Sequence, residues 1–200
     1  MKLTNLIWVL ALAGSVAAGC NKGPPITGIS QSPGTGNSNG SGATGGAPTS
    51  GACINEDDAL VYECLEFTNS KGEESSGTDA SSAIGSECVR GSDVSDPPIT
   101  GCGEETLEVV ACFPDCPQPT VDALSDCVVA CTQETTADLC PPGLSDDCVD
   151  CTGATVACGA AFCTRQCVAD TTAAMCIDCR CDNNCTPDFV ICSGIPSDDC

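Results

Sequence analysis

Twenty cysteines crowd residues 53–200, while a twenty-first, Cys20, stands alone behind an apolar leader and ahead of 32 residues that contain none. That division separates an anchor from a domain. An even set of cysteines in an exported chain reads as a disulfide framework, and without one this stretch has no means to fold. Leu, Ile, Val and Phe make up about 19% of residues 53–200, and all 28 acidic residues fall there against Lys71, Arg90, Arg165 and Arg180. A composition so poor in large apolar side chains and so highly charged belongs to unstructured chains. Native bridges, each worth about 2–4 kcal/mol through restriction of the unfolded state, offset a core that thin.

The leader supplies the oxidising compartment. Met1 and Lys2 give a short positive start, Leu6 to Ala13 form a compact apolar run, and Gly14 to Gly19 are mostly small, the layout of a secretory signal. The run is shorter than the roughly 20 apolar residues needed to span a bilayer. The segment Val16-Ala17-Ala18-Gly19-Cys20 resembles a bacterial lipobox. That resemblance implies cleavage after residue 19 and lipidation of Cys20, with a diacylglycerol thioether and an N-acyl chain. Two or more acyl chains give a lasting hold on a membrane, where one gives only marginal binding. Asn21, rather than Asp, follows the cysteine. Among lipoproteins this implies the outer membrane or cell surface.

Residues 20–52 are expected to form a flexible tether. Past Cys20 they are rich in Gly, Ser, Thr and Pro, with Lys22 as the only charge and Ile26 and Ile29 as the only large apolar side chains. Such a segment cannot bury enough surface to offset its ordering entropy.

Within 53–200 the spacing of cysteines predicts helices. Cys112 and Cys116, like Cys127 and Cys131, are four apart and share a helix face. Pairing Cys112 with Cys131 and Cys116 with Cys127 centres both bridges between residues 121 and 122, next to Pro117-Gln118-Pro119-Thr120, which suggests an antiparallel hairpin with Thr120 as N-cap. A second near-mirror pairs Cys148 with Cys167 and Cys151 with Cys163 about a turn near Cys158-Gly159. Thr106 to Phe113 and Val121 to Thr132 carry apolar residues at helical intervals, with Leu107, Val110, Val121, Leu124 and Val128 placed to share faces. Two internal repeats point the same way: Cys131 to Cys140 matches Cys167 to Cys176 around Thr-Thr-Ala, and Cys151 to Cys158 matches Cys185 to Cys192. Offsets in the mid-thirties suggest duplicated helical units. Residues 65–101 show little apolar periodicity and read as a tolerated surface insertion.

The run GLSDDCVDCTGATVACGAAFCTRQCVADTTAAMCIDC, followed by CTPDFVICSGIP, resembles a cysteine-rich domain of secreted bacterial proteins and lipoproteins. It spans residues 143–196. The resemblance implies a small, mainly helical, disulfide-bonded exported domain, and it brings no activity.

The chemistry left to the chain is narrow. It contains no His, and no G-x-S-x-G elbow is present, so neither a general base of the usual kind nor a triad can be assembled. Cys148-x2-Cys151 and Cys176-x2-Cys179 have the spacing of redox or zinc motifs, but the strand-helix context of a thioredoxin site is missing and exported thiols oxidise. Glu56-Asp57-Asp58 lacks the calcium-loop pattern. No enzyme, no metal and no cofactor are expected. A formal net charge of −22 repels nucleic acid and anionic lipid and favours basic partners.

The sequence therefore predicts a mainly α fold: a small disulfide-rich domain of short helical hairpins, an irregular N-terminal part and a disordered tether. Residues 1–19 are the signal peptide, 20–52 the lipidated cysteine and linker, and 53–200 the domain. The expected function is that of a membrane-anchored surface or periplasmic lipoprotein with a structural or binding role, its partner a basic protein or a polysaccharide. The alternatives are a metal-binding cysteine-rich protein and a secreted module of the protease-inhibitor kind.

Overall fold

The computed structural model describes residues 51–200; the leader, Cys20 and all but the last two residues of the expected tether lie outside them. Seven helices and one two-stranded sheet make up the described part: α1 (Glu56–Cys64), β1 (Glu66–Thr68), β2 (Glu74–Ser76), α2 (Gly77–Arg90), α3 (Gly103–Cys112), α4 (Gln118–Leu139), α5 (Asp146–Cys167), α6 (Ala174–Asp182) and α7 (Cys185–Ser193). The mainly helical, disulfide-rich architecture read from the sequence is the one observed.

Helix α5 is the spine and packs against α2, α3, α4, α6 and α7. Its sequence explains its length. Ser145 precedes it, Asp146 and Asp147 occupy its first turn and Arg165 its last, which places charge favourably at both ends of the helix dipole. Glycines inside it are spaces for neighbours. A Cβ on Gly153 would lie 2.5 Å from Val129 Cγ2 and 2.8 Å from the Ser125 carbonyl of α4, and one on Gly85 of α2 would lie 2.9 Å from Thr152 Cγ2 of α5. The absent side chains let three helices approach closely enough to build a core from small residues.

That core contains Leu65 and Phe67 from the β1 region, Ala80 and Ile84 from α2, Val109 from α3, Val121, Leu124 and Val128 from α4, and Val149, Ala157 and Ala161 from α5. Cystine fills the rest: Cys53, Cys88, Cys102, Cys140 and Cys148 are buried in the same cluster. Sulfur thus serves as core volume as well as cross-link.

All twenty cysteines of 53–200 are paired. Four nested bridges, Cys151–Cys192, Cys158–Cys185, Cys163–Cys179 and Cys167–Cys176, share one centre beside Thr171. They zip α5 to the returning α6 and α7. This laddered hairpin occupies nearly the whole of the stretch 143–196. Its two outward links are Cys148 to Cys53 and Cys181 to Cys200, and Cys64–Cys140 adds a further staple from α1 to the end of α4.

None of the four disulfides expected from mirror spacing forms. Cys148 with Cys167 and Cys151 with Cys163 are excluded because all four residues lie on the single 22-residue helix α5. At 1.5 Å per residue the two pairs stand about 28 and 18 Å apart, far beyond the ~7 Å between Cα atoms that a disulfide tolerates. No turn exists at Cys158-Gly159. Cys112 with Cys131 and Cys116 with Cys127 fail for a different reason. The antiparallel hairpin of α3 and α4 is present, but its turn lies at residues 113–117, and the chain is already helical from Gln118. Pro119 sits in the first turn of α4, where its missing N–H costs nothing, so the prolines open this helix instead of separating two. With the turn centre moved, Cys112 bonds Cys116 across it, Cys102 bonds Cys127, and Cys131 reaches Cys88 of α2. Thr120 is therefore not a cap.

Two other expectations are corrected. Residues 65–101 are no surface insertion, because they contain the hairpin β1–β2 and helix α2, whose Ala80, Ile84 and Cys88 recur at every fourth residue and are fully buried. The Thr-Thr-Ala repeat is not structural either. Thr135 and Thr136 are buried in α4, whereas Thr171 and Thr172 form the turn between α5 and α6.

Candidate functional site

The cysteine motifs are branch points. Cys148 and Cys151, one turn apart at the start of α5, bond Cys53 and Cys192 respectively, and Cys176 and Cys179 of α6 bond Cys167 and Cys163. Neither C-x2-C closes on itself. A dithiol redox centre needs its two sulfurs to exchange with one another, and here each sulfur of a motif is bonded to a cysteine outside that motif. Among the described residues no three Cys, Asp or Glu side chains stand together in a way that could hold a metal ion.

The most elaborate polar arrangement joins α1 to α5. Asn55 caps α1 by accepting a hydrogen bond from the Asp58 N–H (2.8 Å) and donates from Nδ2 to Asp58 Oδ2 (2.6 Å). Asp58, 1% exposed, accepts from the Ser145 N–H (2.7 Å) and from the Ser145 hydroxyl (2.7 Å). Since the Ser145 side chain makes no capping bond of its own, the Asp58 carboxylate takes over that task at the positive end of the α5 dipole. Tyr62 stands one turn further along α1. Its hydroxyl lies 3.1 Å from Cys148 Sγ; the bonded sulfur carries no proton, so the phenol donates. Burial, and secondarily the Asp58 carboxylate, raise the phenol's pKa above the ordinary tyrosine range. The ensemble fixes the N-terminus of α5 beside the Cys53–Cys148 bridge, and it also removes Asp58 from the run Glu56-Asp57-Asp58 as a cation ligand.

A second buried carboxylate, Glu87 of α2, is likewise consumed by structure. It accepts from the N–H (3.0 Å) and hydroxyl (2.6 Å) of Ser70 in the β1–β2 turn, with Arg90 at 3.7 Å. The open depression between the hairpin and the end of α4, about 520 Å³, is lined by Glu66, Glu74, Asp96 and the hydroxyl residues Ser75 and Ser76. Ser75 donates to the Phe67 carbonyl (3.2 Å).

Acidity is concentrated along α4 and α5. Asp122, Asp126, Glu134 and Asp138 are exposed at four- and eight-residue intervals on α4, and Asp146, Asp147 and Asp150 are exposed on α5. Partial desolvation, then the carboxylates of Asp147, Asp146 and Asp126, raise the pKa of Asp150 above its ordinary value. The folded state therefore holds that proton more tightly than the unfolded chain, and this cluster weighs against the fold once pH rises past the carboxylate range.

The two helices whose apolar residues share faces differ in where those faces point. Val109 is the one buried residue of α3, while Leu107 and Val110 are 70% and 48% exposed. Val121, Leu124 and Val128 of α4 are buried. No sequence signal distinguishes the two outcomes for α3, because Leu107, Val109 and Val110 all suit an apolar face.

Of the residues singled out from sequence, Cys20 lies outside the described part. The eight cysteines of the expected hairpins are all bridged, but to other partners. Comparison of the chain with protein-family models, with curated proteins and with solved structures finds no match. Among the described residues no helix is long and apolar enough to cross a membrane. The ten disulfides suit an oxidising, exported environment.

Proposed function

We propose that the chain is an exported lipoprotein, anchored to the outer membrane or cell surface through acylated Cys20, whose cysteine-rich domain acts by binding or structural support and performs no catalysis. The observation that carries this reading is the partition of sulfur. Every cysteine from Cys53 onward is used in a bridge, which leaves Cys20, at the end of a lipobox-like segment, as the remaining cysteine of the sequence. The absence of His and the commitment of Asp58 and Glu87 to structural hydrogen bonds support a non-catalytic role. Net charge favours a basic partner.

Growth of an expressing host on labelled palmitate tests the anchor. The wild-type protein should carry the label and partition with membranes, and Cys20→Ala should lose both properties. An unlabelled wild-type protein, or a Cys20→Ala form that stays with membranes, would contradict the proposal.

A further inference from the structure

Helix α3 is held in an unusual way. A ten-residue helix has little stability of its own, and this one buries a single side chain, yet it is fixed at its start by Cys102–Cys127 and at its end by Cys112–Cys116. What those bridges present to solvent is its apolar side. Of the large apolar side chains exposed among the described residues, Leu107 and Val110 alone stand one turn apart on the same helix. Exposed Ala111 continues their stripe. A local rule broken on a rigid element is what an interface looks like before its partner arrives. Preorganisation by two cross-links also lowers the entropy lost on docking.

The charge around the stripe selects the partner. Exposed Glu104 and Glu108 flank Leu107 on α3, and between Arg90 and Arg165 the sequence holds thirteen carboxylates and no lysine or arginine. At the far end of α3 the Arg165 guanidinium lies 5.3 Å over the Phe113 ring, so a cation on an aromatic face already closes that edge. A second copy of the chain, with the same acids, is repelled. A neutral polysaccharide offers hydroxyl donors to Glu104 and Glu108 but no opposite charge.

We propose that the exposed face of α3 is a docking surface for a cationic amphipathic helix of a partner protein, whose apolar side chains cover Leu107 and Val110 while its lysines or arginines meet Glu104 and Glu108. This deepens the binding reading of the proposed function and rests on it. Such a helix lies in a groove or on a face through residues spaced three and four apart, the spacing that the stripe offers.

The test uses the full chain with its disulfides intact, titrated with a fluorescent helical peptide of leucine and lysine and with a second peptide carrying serine in place of leucine. Leu107→Ser/Val110→Ser should weaken binding of the first peptide by about tenfold or more. Leu60→Ser/Ile191→Ser, which removes two apolar side chains exposed elsewhere, should leave it unchanged, and the serine peptide should not distinguish the variants. Equal affinity of all three proteins for the leucine peptide would overturn the proposal in favour of diffuse attraction to acidic surface. Sedimentation that finds a wild-type dimer, dissociated by Leu107→Ser/Val110→Ser, would overturn it in favour of self-association. Palmitate labelling of Cys20 is unaffected by either result, so loss of the docking face and loss of the anchor are read separately.

Discussion

Gly153→Leu is expected to destabilise the domain by about 3 kcal/mol, the upper end of what overpacking usually costs. The reason is where α4 crosses α5. A Cβ at position 153 would stand 2.5 Å from Val129 Cγ2, which can rotate, but also 2.8 Å from the Ser125 carbonyl, which is backbone and cannot. Relief requires the two helices to separate. Helix α4 is not free to move, because Cys127 and Cys131 bond it to Cys102 and Cys88. The higher helix propensity of leucine, worth just under ~1 kcal/mol over glycine, opposes the loss without cancelling it. Guanidinium unfolding with disulfides intact checks this: a midpoint unchanged from the wild type would mean that the helices do not cross at Gly153.

Ile84→Ala carries the second large effect, a loss of about 2–5 kcal/mol. Ile84 is fully buried on the stripe Ala80, Ile84 and Cys88, where α2 meets the β-hairpin, α4 and α5. Two residues away, Ser82 is exposed on the opposite side of the same helix, so Ser82→Ala should change stability by less than about 0.5 kcal/mol. That contrast separates a core helix from a dispensable insertion. If the two substitutions behave alike, residues 65–101 do not contribute to the core.

Much of the architecture was legible. The helix-compatible segments Thr106 to Phe113 and Val121 to Thr132 fall within or largely overlap α3 and α4, and the even cysteine count anticipated complete pairing. What failed was the location of the turns. Mirror symmetry of cysteine positions is a sound argument for antiparallel helices, as the four bridges centred beside Thr171 demonstrate. It holds only when the centre coincides with a real reversal of the chain. Pro119 looked like a breaker but opens a helix, and Gly159 looked like a hinge but lies inside one. The matching C-x6-C repeats at Cys151 and Cys185 were the better guide, since they bond to each other in reverse order. Helix α2 was hidden because Ala, Ser and Gly supply half of its residues and a single isoleucine supplies its large apolar anchor.

The docking face on α3 was illegible for a physical reason. Apolar spacing states that a helix has an apolar side and does not state whether that side is covered by the same chain. Leu107 and Val110 signal an interface only because Cys102–Cys127 and Cys112–Cys116 fix the helix with Val109 inward.

The framework stands or falls on which cysteines are joined. Partial reduction and alkylation of the native protein, followed by mass spectrometry of the non-reduced peptides, reads this directly. The account predicts Cys151–Cys192 and Cys158–Cys185 joining α5 to α7, with Cys112–Cys116 closing the turn between α3 and α4. Recovery of Cys112–Cys131 or Cys151–Cys163 would contradict it, because the first moves the α3–α4 turn and the second requires α5 to be broken in two.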